Sequence, residues 1–158
     1  MTSGEMQRTS HRYAFAQTIL LIFFAAVIFL SPKDYLFVSA RVAVAGDLLC
    51  GVGLLLIILA FTSLRGAIQI APEPKQGAQL VETGVYRYFR HPIYTGIIFC
   101  AIGLFLRQPS IWVAIAVVMV ILFLFFKARV EEKLLLGVYP GYANYRRNAW
   151  GLFPGLHY

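Results

Sequence analysis

The segment "GVYRYFRHPIYTG", residues Gly84 to Gly96, is the most informative part of the sequence. It places two arginines, a histidine and two of its three tyrosines directly before an apolar run that begins at Ile93. Pro92 fits the first turn of a helix there, because its missing N–H costs nothing at that position and its φ is preset. The open N–H groups of that turn would form a site for a carboxylate or phosphate, and Arg87 and Arg90 would strengthen the positive potential.

The composition of the chain is that of a membrane protein. Of its 158 residues, 59% are hydrophobic and only 13% are charged, whereas soluble domains average about 25% charged residues. A soluble domain of this length has too small an interior to bury so much apolar surface. We therefore expect one integral membrane domain over residues 1–158, with two N-terminal transmembrane helices in 1–63 and the polar segments in 64–158.

Four apolar segments are candidates for crossing the bilayer as helices. They are Tyr13–Leu30, Val38–Phe61, Ile93–Leu106 and Ile111–Phe126. The last two would be about 21 Å and about 24 Å long, shorter than a hydrocarbon core of about 30 Å. The connection between them, "RQPS" at 107–110, is short enough to make an antiparallel hairpin. No internal repeat is apparent. The predicted fold class is an all-α integral membrane protein with about four transmembrane helices, a short C-terminal helical hairpin and a cytoplasmic tail.

The basic residues predict how the chain is oriented in the membrane. With four spans, the N-terminus, the middle loop and the C-terminal tail share one side, which carries 11 of the 14 Lys and Arg residues. The other three are Lys33, Arg41 and Arg107. The positive-inside rule then places both termini in the cytoplasm. Orientation and anionic lipid at the membrane surface account for the net charge of +7 without a nucleic-acid partner.

Two polar clusters flank the predicted hairpin. The segment "YRYFRHPIY" at 86–94 precedes the third helix, and "KARVEEKLL" at 127–135 follows the apolar part of the fourth. The two ends of an antiparallel hairpin are neighbours, so these clusters should meet at one membrane face. Glu131 and Glu132 could there accept hydrogen bonds from hydroxyls or an ammonium group of a ligand. Taken singly, each feature is also typical of interfacial anchors or of a solvated helix face.

Three segments together carry a family resemblance. They are "LVETGVYRYFRHPIYTG" at 80–96, "EEKLL" at 131–135 and "YPGYANYRRNAWGLFPGL" at 139–156. Their pattern resembles the isoprenylcysteine carboxyl methyltransferase family and its phospholipid methyltransferase relatives, over about residues 64–156. The matching positions are Gly84, Tyr86, Arg90, His91, Pro92, Tyr94, Gly96, Glu131, Glu132, Leu135, Tyr142 and Tyr145.

The resemblance implies transfer of a methyl group from S-adenosyl-L-methionine to a lipid-soluble acceptor, either a lipophilic small molecule or a lipid-linked group. In the family the cofactor lies at the cytoplasmic end of the hairpin. By position, the cofactor-binding residues would be Ala78, Gln79, Leu80, Val81, Tyr86, His91, Pro92, Ile93, Tyr94 and Glu131. The substrate-side basic residue of the family, four before that glutamate, falls on Lys127, with Arg129 as the alternative. No metal site is implied.

Two other classes of function stay open. Membrane sterol reductases use NADPH and share a motif of the type RHxNYxG, but Ile93 stands here in place of its asparagine, and their bundle is far larger. A non-enzymatic membrane or lipid-binding protein could keep the same fold without turnover. A Rossmann cofactor site is not expected, because "GVG" at 51–53 lies inside an apolar helix rather than in a strand–turn–helix unit.

Three residues inside the apolar segments have chemistry of their own. Cys50 and Cys100 suit buried small hydrophobic side chains better than a disulfide framework or a metal site. Asp47 lies in the second span, where a carboxylate costs about 2.5–3.5 kcal/mol at the helix centre and less nearer the end. It would either turn toward the bundle, hydrogen-bonded or protonated, or act near the path of the acceptor.

Overall fold

The computed structural model describes residues 3–31, 39–64 and 80–156. Its helices are α1 Ser3–Leu30, α2 Ala40–Leu64, α3 Pro92–Arg107, α4 Ile111–Val138 and α5 Tyr142–Asn148. A short 3₁₀ turn at Gly84–Arg87 precedes α3. The described residues form no β-strand beyond one isolated bridge between the loop before α3 and the tail. The predicted fold class, an all-α membrane protein, is confirmed.

Helix lengths separate three full spans from one short one. The segment Arg12–Leu30 of α1 and the whole of α2 and α4 are long and apolar enough to cross a membrane. Helix α3 has 16 residues, about 24 Å, and is shorter than a hydrocarbon core of about 30 Å. Helix α4 has 28 residues, about 42 Å, so its last turns continue beyond the apolar run. These turns carry Glu131 and Glu132, as the sequence predicts.

The helices pack as antiparallel neighbours in the order α2, α3, α4, α1. Gly53 of α2 faces Gly96 of the first turns of α3. Gln17, at the middle of α1, bonds to Lys127 of the second half of α4. The backbone oxygen of Ile28, in the last turn of α1, accepts a hydrogen bond from the Gln108 side chain in the α3–α4 connection. The first half of α1, the end of α2, the start of α3 and the last turns of α4 therefore share one end of the bundle. We call it the polar end, and the end that holds the α3–α4 connection the opposite end.

Glycine residues bring α2 and α3 into direct backbone contact. Gly46 lies against Gly103, and Gly53 lies against Gly96. A Cβ added to any of these four would come within 2.5–2.6 Å of a backbone oxygen of the partner helix. Small residues at helix interfaces are how transmembrane helices gain close van der Waals packing where the hydrophobic effect contributes little. Helix α2 is thus the element that holds α3 in place.

The cysteines occupy equivalent positions in this interface. The Cys50 thiol donates to the backbone oxygen of Cys100 at 3.4 Å, and the Cys100 thiol donates to that of Cys50 at 3.6 Å. Both are free thiols and partly buried, in agreement with the sequence prediction. The two helices present one pattern, Gly-x-x-x-Cys-x-x-Gly, as "GDLLCGVG" at 46–53 and "GIIFCAIG" at 96–103. Antiparallel packing makes this short shared pattern self-complementary.

The close packing of α2 on α3 can be tested with a matched pair of glycine variants. Gly53→Ala introduces a methyl group 2.6 Å from the backbone oxygen of Gly96, and overpacking of this kind costs about 1–3 kcal/mol. Gly51→Ala, two residues away on α2, places its methyl group in open space. We expect thermal unfolding in detergent to move down for Gly53→Ala and to stay or rise for Gly51→Ala. Equal unfolding temperatures for the two variants would contradict the proposed contact.

Candidate active site

The C-terminal tail is hydrogen-bonded to the loop that precedes α3. The backbone N–H of Arg90 donates to the oxygen of Trp150, and the N–H of Trp150 donates to the oxygen of Tyr88, both at 2.8 Å. The rings of Phe89 and Trp150 meet edge to face with centroids 5.3 Å apart. The two polar segments of the sequence therefore meet at the polar end, as the hairpin predicts.

Two hydroxyl groups fix the same loop and tail more firmly. Tyr145 of α5 is buried, and its hydroxyl donates to the backbone oxygen of Tyr86 at 2.6 Å. Thr95 of α3 is fully buried and donates to the backbone oxygen of Leu152 at 2.8 Å. Gly84 at the start of the loop has a φ of +61°, a conformation that residues with a Cβ rarely adopt.

A buried carboxylate, that of Glu132, lies beneath this loop with its side chain only 2% exposed. Its Oε1 atom is 2.9 Å from Nη1 of Arg90 and 3.2 Å from Nε2 of His91, and its Oε2 atom is 3.3 Å from Nε of Arg146. Burial of a charge is tolerated only with such partners, and removal of one partner from a buried pair costs about 3–5 kcal/mol. Glu132 therefore ties α4 to the loop before α3 and to α5.

The neighbouring carboxylate, Glu131, is turned toward the first turn of α3. The hydroxyl of Tyr94 lies 2.7 Å from Glu131 Oε1 and 2.9 Å from Oε2, to which it donates. The Nδ1 atom of His91 is 3.7 Å from Oε2. The rings of His91 and Tyr94 are parallel with centroids 5.4 Å apart. His91 thus stands between the two glutamates, and which of its nitrogens carries the proton decides the direction of each hydrogen bond.

A buried cation, Lys127, completes the group of side chains around Glu131. We call this group, His91, Tyr94, Glu131 and Lys127, the polar cluster. Lys127 is 6% exposed, and its Nζ atom lies 3.7 Å from Glu131 Oε1, one helical turn along α4. The same atom is 5.0 Å from the centroid of the Tyr94 ring, close enough for a cation–π contact. It also donates a hydrogen bond to the side-chain oxygen of Gln17 on α1. Three helices therefore contribute to the Lys127 environment.

Most of the residues expected at the cofactor are described, and they lie at the polar end. His91 and Tyr94 contact Glu131 directly, while Pro92 and Ile93 form the intervening first turn of α3. The remaining members are Leu80, which packs on the α5 tyrosines, Val81, which is half-buried, and Tyr86, on which Glu131 acts electrostatically. Ala78 and Gln79 lie outside the described residues.

The two basic residues proposed from sequence do not share one environment. Lys127 faces Glu131, since the two are four residues apart on one helix. Arg129 is two residues beyond Lys127, about 200° around the helix axis, so it points away from the Glu131 side. It is exposed, and its guanidinium carbon lies 5.0 Å from the centroid of the Phe125 ring. The structure therefore brings Lys127, and not Arg129, to Glu131, while the substrate-side role of either residue stays a prediction.

Three tyrosines outside the spans, Tyr86, Tyr142 and Tyr145, are held in their neutral form. Burial, and then the charge of Glu131, raises the pKa of Tyr86 to about 12. Burial also raises the pKa of Tyr142 and of Tyr145, with Glu132 and Tyr86 as the next causes respectively. At neutral pH these phenols are hydrogen-bond donors rather than anions, so Tyr145 can donate to the loop.

Two features of the site were not found from sequence. Gln17 is the single amide side chain in the first apolar segment, where Thr18 is also polar, and only its position opposite Lys127 distinguishes it. The attachment of the tail through Trp150 and Leu152 uses backbone groups, which leave no residue-type signal. For Gln17 the sequence held one indication: an amide inside an apolar span needs a hydrogen-bond partner on a neighbouring helix.

Asp47 is placed far from this cluster. It pairs with Arg107 through a contact of 2.8 Å between Oδ2 and Nη1, and both side chains are more than half exposed. Arg107 ends α3, about 24 Å from the first turn that carries His91. Asp47 therefore belongs to the opposite end of the α2–α3 pair and not to the polar cluster.

Comparison with known proteins gives a family and a fold. A family model described as phospholipid methyltransferase matches residues 42–141. Among solved structures, the fold is similar to that of the eukaryotic intramembrane Ras methyltransferase, isoprenylcysteine carboxyl methyltransferase, with a TM-score of 0.62 and 24% sequence identity. That match covers 94% of this chain and 54% of the other, so this chain spans about half its length. No curated protein gave a significant match.

The attachment of the loop by Tyr145 can be tested against its neighbour Tyr142. Tyr145→Phe removes the donor to the Tyr86 oxygen and leaves that oxygen unpaired, which costs about 1–3 kcal/mol. The Tyr142 hydroxyl is buried and finds no hydrogen-bond partner among the described residues, so Tyr142→Phe should be neutral or stabilising. Thermal unfolding in detergent measures both. A larger loss in Tyr142→Phe than in Tyr145→Phe would contradict the described geometry.

The position of Asp47 predicts that its charge is not needed at the polar end. Asp47→Asn keeps the side-chain shape and weakens only an exposed ion pair with Arg107, worth about 0–1 kcal/mol. We expect the affinity for S-adenosylhomocysteine, measured by titration calorimetry, to stay within twofold of the parent protein. A loss of tenfold or more would mean that Asp47 acts on the polar cluster after all.

Proposed function

We propose, since the chain belongs to the phospholipid methyltransferase family, that it transfers a methyl group from S-adenosyl-L-methionine to a lipid-soluble acceptor at the polar end. The membrane location and the methyltransferase family and fold are established by the comparisons. The proposal of this methyl donor and this class of acceptor rests on one observation: His91, Tyr94, Glu131 and Lys127 form a single cluster. It joins residues from both sides of the hairpin, where the family resemblance lies.

The residues at the start of α3 fit the polar groups of this cofactor. His91 is the N-cap of α3 but makes no side-chain capping hydrogen bond, so the N–H groups of Ile93 and Tyr94 are available to a carboxylate. Glu131, with its side chain 16% exposed, supplies an acceptor for an ammonium group or ribose hydroxyls. The Tyr86 and Tyr94 rings supply aromatic faces, which favour a cation.

When bound, the cofactor would supply an electrophilic methyl group on a positively charged sulfur. The protein would align the two reactants and exclude water from the site. His91 and Lys127 are 8% and 6% exposed, so the cluster is already largely shielded. Glu131 fixes the Tyr94 hydroxyl, and Glu132 fixes His91 from the other side. These contacts pre-orient the site, because each side chain is restrained by a second one.

The acceptor is proposed to approach on the Lys127 side. Lys127 faces α1, where it bonds to Gln17, whereas His91 faces Glu132 of α4. A buried ammonium group at that position would attract and orient an oxygen-bearing head group. An anionic head group needs no general base at neutral pH, while an amine or alcohol would need one, for which His91 is the nearest candidate.

The orientation and extent of the domain follow from the same proposal. A water-soluble donor and a membrane-dissolved acceptor can meet only where the site borders both phases. We propose that the polar end faces the cytoplasm, as the excess of basic residues on that side predicts. Because α1, α3, α4 and α5 all contribute side chains to the clusters around Glu131 and Glu132, residues 1–158 are proposed to act as one membrane domain.

Cofactor binding is tested with His91→Ala. This change removes the group that stacks on Tyr94 and bridges the two glutamates, so we expect S-adenosylhomocysteine affinity to fall at least tenfold by titration calorimetry in detergent. Lys133→Ala, an exposed change on the same turn of α4, is the matched control and should bind normally. Unchanged affinity of a folded His91→Ala protein would remove the proposed cofactor role.

The acceptor side is tested with Lys127→Met. This change keeps the length of the side chain and removes its charge. We expect normal affinity for S-adenosylhomocysteine, together with loss of methyl transfer to a membrane lipid extract from cofactor carrying a labelled methyl group. Identification of the labelled lipid names the acceptor. If Lys127→Met loses cofactor affinity instead, the lysine belongs to the cofactor side.

A further inference from the structure

Among the α1 side chains that the structure describes, from residue 12 onward, the face that packs on α4 carries one amide, Gln17, among aliphatic and aromatic residues. Tyr13 meets the Phe123 ring with centroids 6.5 Å apart, and Phe24 is buried in the main core with Leu20 and Val27 packed beside it. With Gln17, these residues are spaced alternately four and three positions apart, which places them in one stripe on a helix face. The stripe is Tyr13, Gln17, Leu20, Phe24 and Val27.

The single polar member of the stripe meets the single buried lysine of α4. Gln17 accepts a hydrogen bond from Lys127, whereas a helix that only packed on α4 would carry leucine or phenylalanine there. Burial of an amide in a span has a cost that packing alone does not require. The neighbouring Thr18, by contrast, faces outward and bonds only to the backbone of its own helix.

We propose that Gln17 is a positioning residue of the acceptor site, which aims the ammonium group of Lys127 at the acceptor head group. The inference rests on the proposed function of the preceding subsection. It adds α1 to the site, because Gln17 lies outside the segment 42–141 that the family model matches. The acceptor chemistry that fits is a head group with a negatively charged or strongly polarised oxygen.

The donor geometry of the lysine supports this role. An ammonium group has three N–H donors. Gln17 takes one of them, and the Glu131 carboxylate, at 3.7 Å, lies toward another, while the Tyr94 ring restrains the group from the side. A neutral amide orients the ammonium group without adding a second carboxylate beside Glu131. A carboxylate at position 17 would hold the lysine equally well, but two carboxylates would then outweigh its single positive charge.

The difference between an amide and a carboxylate at position 17 distinguishes a role of Gln17 in positioning Lys127 from a role in protein stability alone. Gln17→Glu should form an ion pair with Lys127 and leave thermal stability unchanged or higher. It should nevertheless raise the concentration of lipid extract that gives half-maximal methyl transfer by about tenfold or more, since a charge-assisted hydrogen bond to the acceptor is lost. Gln17→Leu should raise it as well. Thr18→Val is the matched control on α1 and should behave as the parent protein, and S-adenosylhomocysteine affinity should stay within twofold in all three.

Each outcome has one interpretation. If the parent protein transfers no methyl group to the extract, the proposed function fails, and this inference fails with it. If the parent is active and Gln17→Glu is half-saturated at the same lipid concentration, only the inference about Gln17 is overturned. If the Gln17 variants lose affinity for S-adenosylhomocysteine, Gln17 supports the fold or the cofactor and does not position the acceptor side.

Discussion

The structure depends on the burial of one carboxylate at the end of a membrane helix. Glu132 is almost fully enclosed and is surrounded by Arg90, His91 and Arg146. A charge in that position is stable only when its partners are fixed, so α4, the loop before α3 and α5 must come together. The adjacent Glu131 is thereby turned toward Tyr94 and Lys127. The contacts that stabilise Glu132 therefore also bring the residues of the polar cluster together.

A second constraint acts from within the membrane. Helix α3 is too short to span a typical bilayer core by itself, and it is held against α2 by direct backbone contacts at the glycines. This places its first turn at the polar end, beside the last turns of α4. Under the function we propose, a short helix fixed in this way gives a water-soluble and a membrane-dissolved reactant access to one site.

The sequence predicted the four apolar helices, the hairpin and the meeting of the two polar segments, because hydropathy and fixed spacings carry that information. It also predicted that His91, Tyr94, Glu131 and Lys127 lie close together, as their contacts show. It did not predict α5. It did not show that Arg129 points elsewhere, since that depends on helix phase relative to α3. It also missed Gln17 and the backbone attachment of the tail, because a lone amide and backbone hydrogen bonds have no motif. The glycine–cysteine pattern shared by α2 and α3 is present in the sequence. That the two copies of the pattern pack against each other is seen only in the structure.

The central claim is that donor and acceptor meet at the cluster formed around Glu131. The most direct measurement is an experimental structure of the full chain in lipid nanodiscs with S-adenosylhomocysteine bound. We expect the bound molecule at the start of α3, in contact with His91 and Glu131, with its sulfur on the side of Lys127. Density for it at the opposite end, near Asp47 and Arg107, or on the far side of α4 near Arg129, would contradict the account.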